Sequence, residues 1–175
     1  MCGMKKSSKP TPRGSLIRYH ERRNFKKSPE PSGFRSRKVR DNMLFVVQKH
    51  AARSLHYDLR LEIDGVLKSW AVPKGPPKKL TEKRLAIVTE DHPYEYAFFE
   101  GVIPVGHYGA GKVVIWDRGH YSNMKISEEE CMSMSECYRR GRIEIYFHGK
   151  RLIGPYALVR MTRDPQHWLM IKMKK

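Results

Sequence analysis

Leu55-His56-Tyr57-Asp58-Leu59-Arg60-Leu61-Glu62-Ile63, followed by Asp64-Gly65, is the stretch on which the fold turns. Its odd-numbered positions are apolar or aromatic and its even-numbered ones polar or charged. That period of two is what a strand needs to send one set of side chains to each face. Asp64-Gly65 is a strong hairpin signal of type I′, whose two central residues both need positive φ. Val66–Val72 supplies the return strand, and Pro73-Lys74-Gly75-Pro76-Pro77 stops it.

Outward from this hairpin, Met43–His50 is a β-rich run on the N-terminal side. Further strands are expected at Leu85–Thr89, Tyr96–Gly101, Lys112–Asp117, Arg142–His148, Arg151–Arg160 and His167–Lys172. One helix is expected, beginning at the capping box Ser127-Glu128-Glu129-Glu130 and running to Arg140. Acids crowd its first turn, Arg139-Arg140 its last, and Gly141 stands at the C-cap position. Short strands at this spacing predict a mainly β, single-domain protein, a closed or nearly closed barrel of about eight strands with one or two short helices.

The 175 residues include 35 Lys+Arg against 18 Asp+Glu, a net charge of +17, which points to an anionic partner and most commonly to nucleic acid. The excess is uneven: residues 1–41 hold 13 basic and 3 acidic side chains, the remainder 22 and 15. Residues 1–17, rich in Lys, Ser and Pro, read as a flexible basic arm, and 18–175 as the folded domain. Hydrophobic residues at 39% suffice for a core. The longest apolar runs, such as Leu44–Val47 and Leu85–Val88, fall far short of the ~20 residues of a membrane span, so no membrane partner is expected. Three Cys with no Cys-x-x-Cys suggest neither a zinc ribbon nor a disulfide framework. The basic N-terminus has no apolar stretch behind it, so a cytoplasmic location is expected.

The chemistry is concentrated on the polar face of 55–63. His56 and Asp58 stand roughly 6.6 Å apart along one face at ~3.3 Å rise per residue, close enough to share a metal ion. If Ala51–Ser54 turn the chain, His50 comes to rest beside His56. Two imidazoles and a carboxylate suit Mn²⁺, Fe²⁺ or Zn²⁺ with positions left for substrate. Arg60, one step along, could clamp a phosphate. In Glu90-Asp91-His92-Pro93-Tyr94-Glu95-Tyr96, His92 could serve as acid, base or transition-state donor, or the segment could be a surface turn capped by Asp91. Lys74, in a Pro/Gly turn, could meet a phosphate as a point charge. Gly106–Lys112 fits the P-loop spacing, but Val113 replaces the magnesium-binding hydroxyl and a strand follows, so a P-loop is rejected.

The run Phe45–Glu62 with Lys68-Ser69-Trp70-Ala71-Val72-Pro73-Lys74-Gly75-Pro76 closely resembles the 3′-phosphoesterase module of bacterial DNA ligase D and its stand-alone relatives. Glu90-Asp91-His92-Pro93, Phe99–Pro104, Tyr108-Gly109-Ala110-Gly111, Ile115-Trp116-Asp117, Gly154–Arg160 and Trp168–Lys172 extend the likeness over roughly residues 18–175. The resemblance implies a manganese-dependent β-barrel enzyme, with Zn²⁺ or Co²⁺ as other candidate metals. Such an enzyme trims nucleic-acid 3′ ends in primer–template or nicked duplex. It removes a terminal ribonucleoside and then the 3′-phosphate, leaving a 3′-OH. By position it assigns the metal to His50, His56 and Asp58, the phosphate and transition state to Arg60 and His92, and supporting roles to Lys74, Arg84, Glu90 and Tyr96. Arg23 and Glu30 match the family's Arg-Asp-Phe and Pro-Glu-Pro segment, with Asn24 in place of the acid and His107 in place of an expected Glu. The implied setting is a monomer near the nucleoid, working with a separate ATP-dependent DNA ligase and end-joining factors.

Two other readings use the same residues. A non-haem Fe(II) oxygenase also takes two His and a carboxylate, though its third ligand usually lies far downstream, whereas these three fall within nine residues. A non-catalytic nucleic-acid-binding module would use the basic face alone and keep the His as structural residues.

Overall fold

The structure, a computed structural model, describes residues 15–33, 43–126 and 131–174. A short helix α1 (Ile17–Glu21) precedes strands β1 (Leu44–Ala51), β2 (Leu55–Ile63), β3 (Val66–Val72) and β4 (Lys83–Val88). The two-residue β5 (His92–Pro93), a 3-10 helix (Tyr94–Phe98), β6 (Gly101–Ile103) and β7 (Gly111–Asn123) follow. Helix α2 (Met134–Arg140) leads into β8 (Arg142–His148), β9 (Ile153–Arg160) and β10 (His167–Lys172). Strands β1-β2-β3-β4-β10-β9-β8-β7 neighbour one another in that order, and β7 pairs back onto β1, which closes an antiparallel barrel of eight strands. The expected architecture is present.

Local chemistry explains the joints. Asp64 and Gly65 adopt φ of 54° and 81°, the two positive values the hairpin demanded. Between Val47 and Gln48 the β1–β7 register slips, so Trp116 is an extra residue in β7, a bulge that bends the strand. Gly111, at φ +143°, lets β7 start against β1, since a Cβ there would lie 2.3 Å from the Ala51 carbonyl oxygen.

Two cores share the sheet. The barrel interior is filled by Phe45, Val47, Leu59, Leu61, Trp70, Ile145, Phe147, Leu158 and Trp168 among others. A second core lies on the outer face of β1–β3, where Val46 and Leu67 meet Leu16, Tyr19, Tyr94, Tyr96 and Phe99. Strand β2 is thus covered on both sides. Its charged face, Asp58, Arg60 and Glu62, is as buried as its apolar one.

Two expectations shift. Tyr96–Gly101 is not a strand. The chain from Tyr94 to Phe98 takes 3-10 spacing, which places Tyr94 and Ala97 three apart on one buried side and overrides the β-propensity of the aromatics. Helix α2 starts at Met134, not near Ser127. Ser133, three residues before Glu136, accepts the Glu136 backbone N–H as N-cap, while the chain at Cys131 bridges to Ile126. The capping box at 127–130 lies outside the described residues, whereas Gly141 closes α2 at φ 80° as expected. Leu16 is buried in the second core, and residues 1–14 of the expected arm lie outside the described residues. Among the described residues no helix is long and apolar enough to cross a membrane.

Candidate metal centre and phosphate site

The register of β1, β2 and β3 builds the site. His50 stands opposite His56, Gln48 opposite Asp58, Val46 opposite Arg60, and Arg60 in turn opposite Ser69. β5 continues this outer layer by setting His92 beside Leu67. Alternation along each strand therefore gathers Gln48, His50, His56, Asp58, Arg60 and His92 on one face.

His50, His56 and Asp58 each offer an atom to a cluster whose members all lie within 4.8 Å of one another. The His50 Nδ1 and His56 Nε2 atoms are both 3.5 Å from the Asp58 carboxylate, one on each oxygen. The far nitrogens are committed: His50 Nε2 donates to the Gly109 carbonyl at 2.8 Å and His56 Nδ1 to the Ser54 carbonyl at 2.9 Å. A carbonyl can only accept, so in the neutral rings the inner nitrogens carry lone pairs. Three sets of lone pairs then face a common centre with no hydrogen to share, an arrangement a divalent cation resolves. The donor set fits a metal, and the three residues could hold one. Burial works to raise the Asp58 carboxyl, but its surroundings, the Arg60 guanidinium foremost, hold the group below the ordinary carboxylate range.

Arg60 bridges this cluster to the rest of the site. Its Nη2 donates to Asp58 at 3.1 Å and its Nε to Gln48 Oε1 at 2.8 Å, while the guanidinium lies 4.7 Å from the Tyr96 ring centroid. Gln48 is itself fixed by donating to the Tyr96 and Phe99 carbonyls, both at 2.9 Å. The third nitrogen, Nη1, is buried and has no protein partner. An unmet donor on a buried cation is costly, and an anionic oxygen could satisfy it.

The N-terminal segment forms the opposite wall. Arg23 donates to Glu30 at 2.8 Å, to Glu90 at 3.0 Å and to His92 Nε2 at 3.3 Å, with its guanidinium 3.9 Å from the Tyr19 ring centroid. Glu30 also accepts from Ser28 and from the Tyr96 hydroxyl, at 2.8 and 3.0 Å. Arg22 spans Glu90 and Tyr108, at 2.9 and 2.8 Å. His92 Nδ1 donates to the Glu90 carbonyl at 2.8 Å, so Nε2 is the acceptor that Arg23 approaches. Burial, then Arg60 and Arg23, push the His92 pKa well below the usual imidazole value, and the ring is neutral. Burial also raises the Tyr19 and Tyr96 hydroxyls, which stay protonated and donate.

Of the residues expected to act, His50, His56, Asp58, Arg60, Glu90, His92, Tyr96, Arg23 and Glu30 come together. Lys74 and Arg84 do not join this network. Lys74 is exposed in the turn after Val72, and Arg84 pairs with Glu82 at 3.0 Å. Arg84 stands opposite Met170 of the barrel core near the start of β4, so it lies on the inward side of the sheet and not on the face that holds His56. Gln48, Tyr19, Arg22 and Tyr108 were missed. Gln48 had a signal, because it lies two residues before His50 and so shares its face; the other three join only through long-range contacts. Asn24 shapes the turn between Arg23 and Glu30, its side chain accepting from Lys26 N–H and its carbonyl from Lys27 and Ser28. Nothing in the structure explains His107.

A family model described as the DNA ligase D 3′-phosphoesterase domain matches residues 48–160. The multifunctional non-homologous end joining protein LigD of Pseudomonas aeruginosa is 44% identical over 171 residues, covering 96% of this chain and 19% of the relative. The corresponding LigD DNA repair protein of Mycobacterium tuberculosis H37Rv is 46% identical over 159 residues, covering 91% of this chain and 20% of the relative. LigD of Mycolicibacterium smegmatis matches to the same extent. The chain thus spans about a fifth of the length of these curated relatives.

Proposed function

Since the chain belongs to the DNA ligase D 3′-phosphoesterase domain family, we propose that it is a divalent-metal-dependent hydrolase that trims nucleic-acid 3′ ends for end-joining repair. It would act first as a phosphodiesterase on a 3′-terminal ribonucleoside and then as a phosphomonoesterase on the exposed 3′-phosphate. The substrate is a primer–template or nicked duplex, and the 3′-OH left behind is what an ATP-dependent DNA ligase requires. Manganese is the preferred metal, with Zn²⁺ or Co²⁺ as substitutes, and the working form is a monomer at the nucleoid. The observation that carries the reading is the all-acceptor cluster of His50, His56 and Asp58 with the unpartnered Arg60 Nη1 beside it.

A cation held by His50, His56 and Asp58 would draw charge from a phosphate oxygen and favour deprotonation of an attacking water. Arg60, locked by Asp58 and Gln48, presents Nη1 to a second oxygen without having to reorganise. Arg23, held by Glu30 and Glu90, borders the same space and lies against His92. The charges balance before substrate arrives: Arg22, Arg23 and Arg60 face Asp58, Glu30 and Glu90. A divalent cation and a phosphate dianion add no net charge to this buried site, which limits the desolvation cost. His92, neutral at rest with its Nδ1–H given to the Glu90 carbonyl, presents only the Nε2 lone pair, so it must first take up a proton before it can donate to the phosphate or to the leaving oxygen. Lys74 and Arg84, outside this network, would meet the approaching strand.

The decisive assay is a 5′-labelled primer–template ending in one ribonucleotide, incubated with Mn²⁺, Mg²⁺, Zn²⁺, Co²⁺ or chelator. The expected products are a 3′-phosphate primer and then a 3′-OH primer, with manganese and not with chelator. An unchanged primer would overturn the proposal; oxygen consumption with Fe(II) in its place would indicate an oxygenase, and metal-independent binding alone a non-catalytic module.

A further inference from the structure

A second cationic hollow opens at the barrel end that carries the close of β1 and the start of β2. It is a cavity of about 270 Å³ whose lining includes Pro77, Trp116 and Tyr156 with three cations, Lys78, Arg151 and Lys172. Each of these groups is held in place. Trp116, the bulge residue, meets the Tyr57 ring edge-on at 5.7 Å, and Tyr57 stands between His56 and Asp58 in the chain but faces inward. The Arg151 guanidinium lies 5.2 Å from the Trp116 ring centroid. Its turn is fastened by the buried Asp117 carboxylate, which accepts the Lys150, Arg151 and Leu152 backbone N–H groups at 3.0, 2.9 and 2.7 Å. Lys172 Nζ donates to the Lys78 carbonyl at 3.2 Å, and the Tyr156 hydroxyl to the Pro77 carbonyl at the same distance.

The charge here is not neutralised. Among the described residues none of the three cations forms an ion pair with a carboxylate, and the nearby Glu82 is engaged by the Lys78 and Lys79 N–H groups and by Arg84. Aromatic surface interleaved with unpaired cations is the platform on which single-stranded nucleic acid rests. The volume lies just below the ~300–1,000 Å³ of small-molecule sites, which leaves room for one nucleotide rather than a large cofactor.

We propose that this cavity holds one nucleotide of the strand whose 3′ end is processed at His50, His56 and Asp58. Its phosphate lies against Arg151, Lys172 and Lys78, and its base or sugar against Trp116. The assignment rests on the 3′-end-processing reading for the identity of that strand. Both sites lie at the barrel end that carries the close of β1 and the start of β2, on opposite faces of the sheet, where one continuous strand could pass from one to the other. The Lys74 turn runs directly into the Pro76-Pro77 wall of the cavity, so it lies on the way from one site to the other.

The test is the affinity of the full chain for a 5′-fluorescein primer–template ending in 3′-OH, read by anisotropy across a salt series. Arg151→Ala and Lys172→Ala should each raise Kd by about 5–10-fold and lower the salt slope by about 1. Arg163→Ala, an equal loss of charge on the exposed β9–β10 turn at the other end of the barrel, should stay within about twofold. Arg151 is exposed, so its loss does not threaten folding, and Arg151→Lys should recover most of the affinity. Equal Kd and slope for the Arg151, Lys172 and Arg163 variants would overturn the proposal, as would no binding by the unsubstituted chain. Phosphate release from a 3′-phosphate primer with Mn²⁺ is scored separately. Variant-dependent binding without release by the unsubstituted chain would sink the catalytic reading and leave the nucleotide site standing.

Discussion

Leu59 and Arg60 are neighbours on β2 and almost equally inaccessible, at 0% and 3% exposure, yet they enter opposite kinds of interior. Leu59 joins the barrel core, where apolar side chains from all eight strands need only fill space. Arg60 joins a second interior under the N-terminal segment, where every charge needs a partner. Burial does not separate the two faces; the way each satisfies its groups does. The inner face leaves neutral indole donors, those of Trp70 and Trp168, unpartnered among apolar side chains. The outer face is left with a cluster of facing lone pairs and an unmet nitrogen on a buried cation, demands that charged ligands could meet.

Substitutions on either side of the strand should therefore fail differently. Asp58→Asn should cut turnover of a 3′-phosphate primer by at least about 10³-fold and weaken Mn²⁺ binding, followed by calorimetry or electron paramagnetic resonance. Full activity would break the contrast at once. Leu61→Ala, on the inner face, should cost about 2–5 kcal/mol in denaturant unfolding while the folded fraction still binds Mn²⁺ normally. Metal affinity lost in step with stability would mean that the two interiors are not separate. Gln48→Leu keeps the volume but strands Arg60 Nε, so about 1–3 kcal/mol should be lost, visible chiefly as a fall in kcat of roughly tenfold. Equal kcat in both proteins would show that Arg60 needs no such brace.

The smallest effect concerns pH. His92 is neutral in the fold, with its pKa well below the ordinary value of 6.5 that the unfolded chain retains. Between those values the unfolded state binds the extra proton. The stability from the neutral ring is thus full above about pH 6.5 and is lost as pH falls, at up to about 1.4 kcal/mol per unit. His92→Gln in chelator should show a shallower loss of Tm between pH 7.5 and 5.5. An unchanged slope would move the cause to another group.

Much of the site was readable from the chain because it is periodic. His50, His56, Asp58 and Arg60 follow the two-residue repeat of strands joined by a short turn, so their common face needed no tertiary information. Gln48 obeys the same rule and could have been included. Where two local signals competed, the chain alone did not decide: Ser127 and Ser133 both precede a Glu by three residues, and the structure uses Ser133. The run at Tyr96–Gly101 has the aromatic content of a strand, but its place over β1–β3 rewards the spacing of a 3-10 helix. Arg22, Tyr19 and Tyr108 carry no periodic signature. Their roles arise from contacts between Arg22 and Glu90 and Tyr108, and between Tyr19 and His92, some 68 to 86 positions apart.

By itself the amino-acid order determined most of the strands, the hairpin at Asp64-Gly65, the eight-stranded class of fold and the face that carries the candidate metal ligands. Each of these depends on the geometry of consecutive residues. Only the tertiary structure decided that this face is buried, that residues 15–33 cover it, and that Arg60 keeps one nitrogen free. Those outcomes depend on which distant groups reach the same volume, and hydrogen-bond valence is settled only after all of them have been placed.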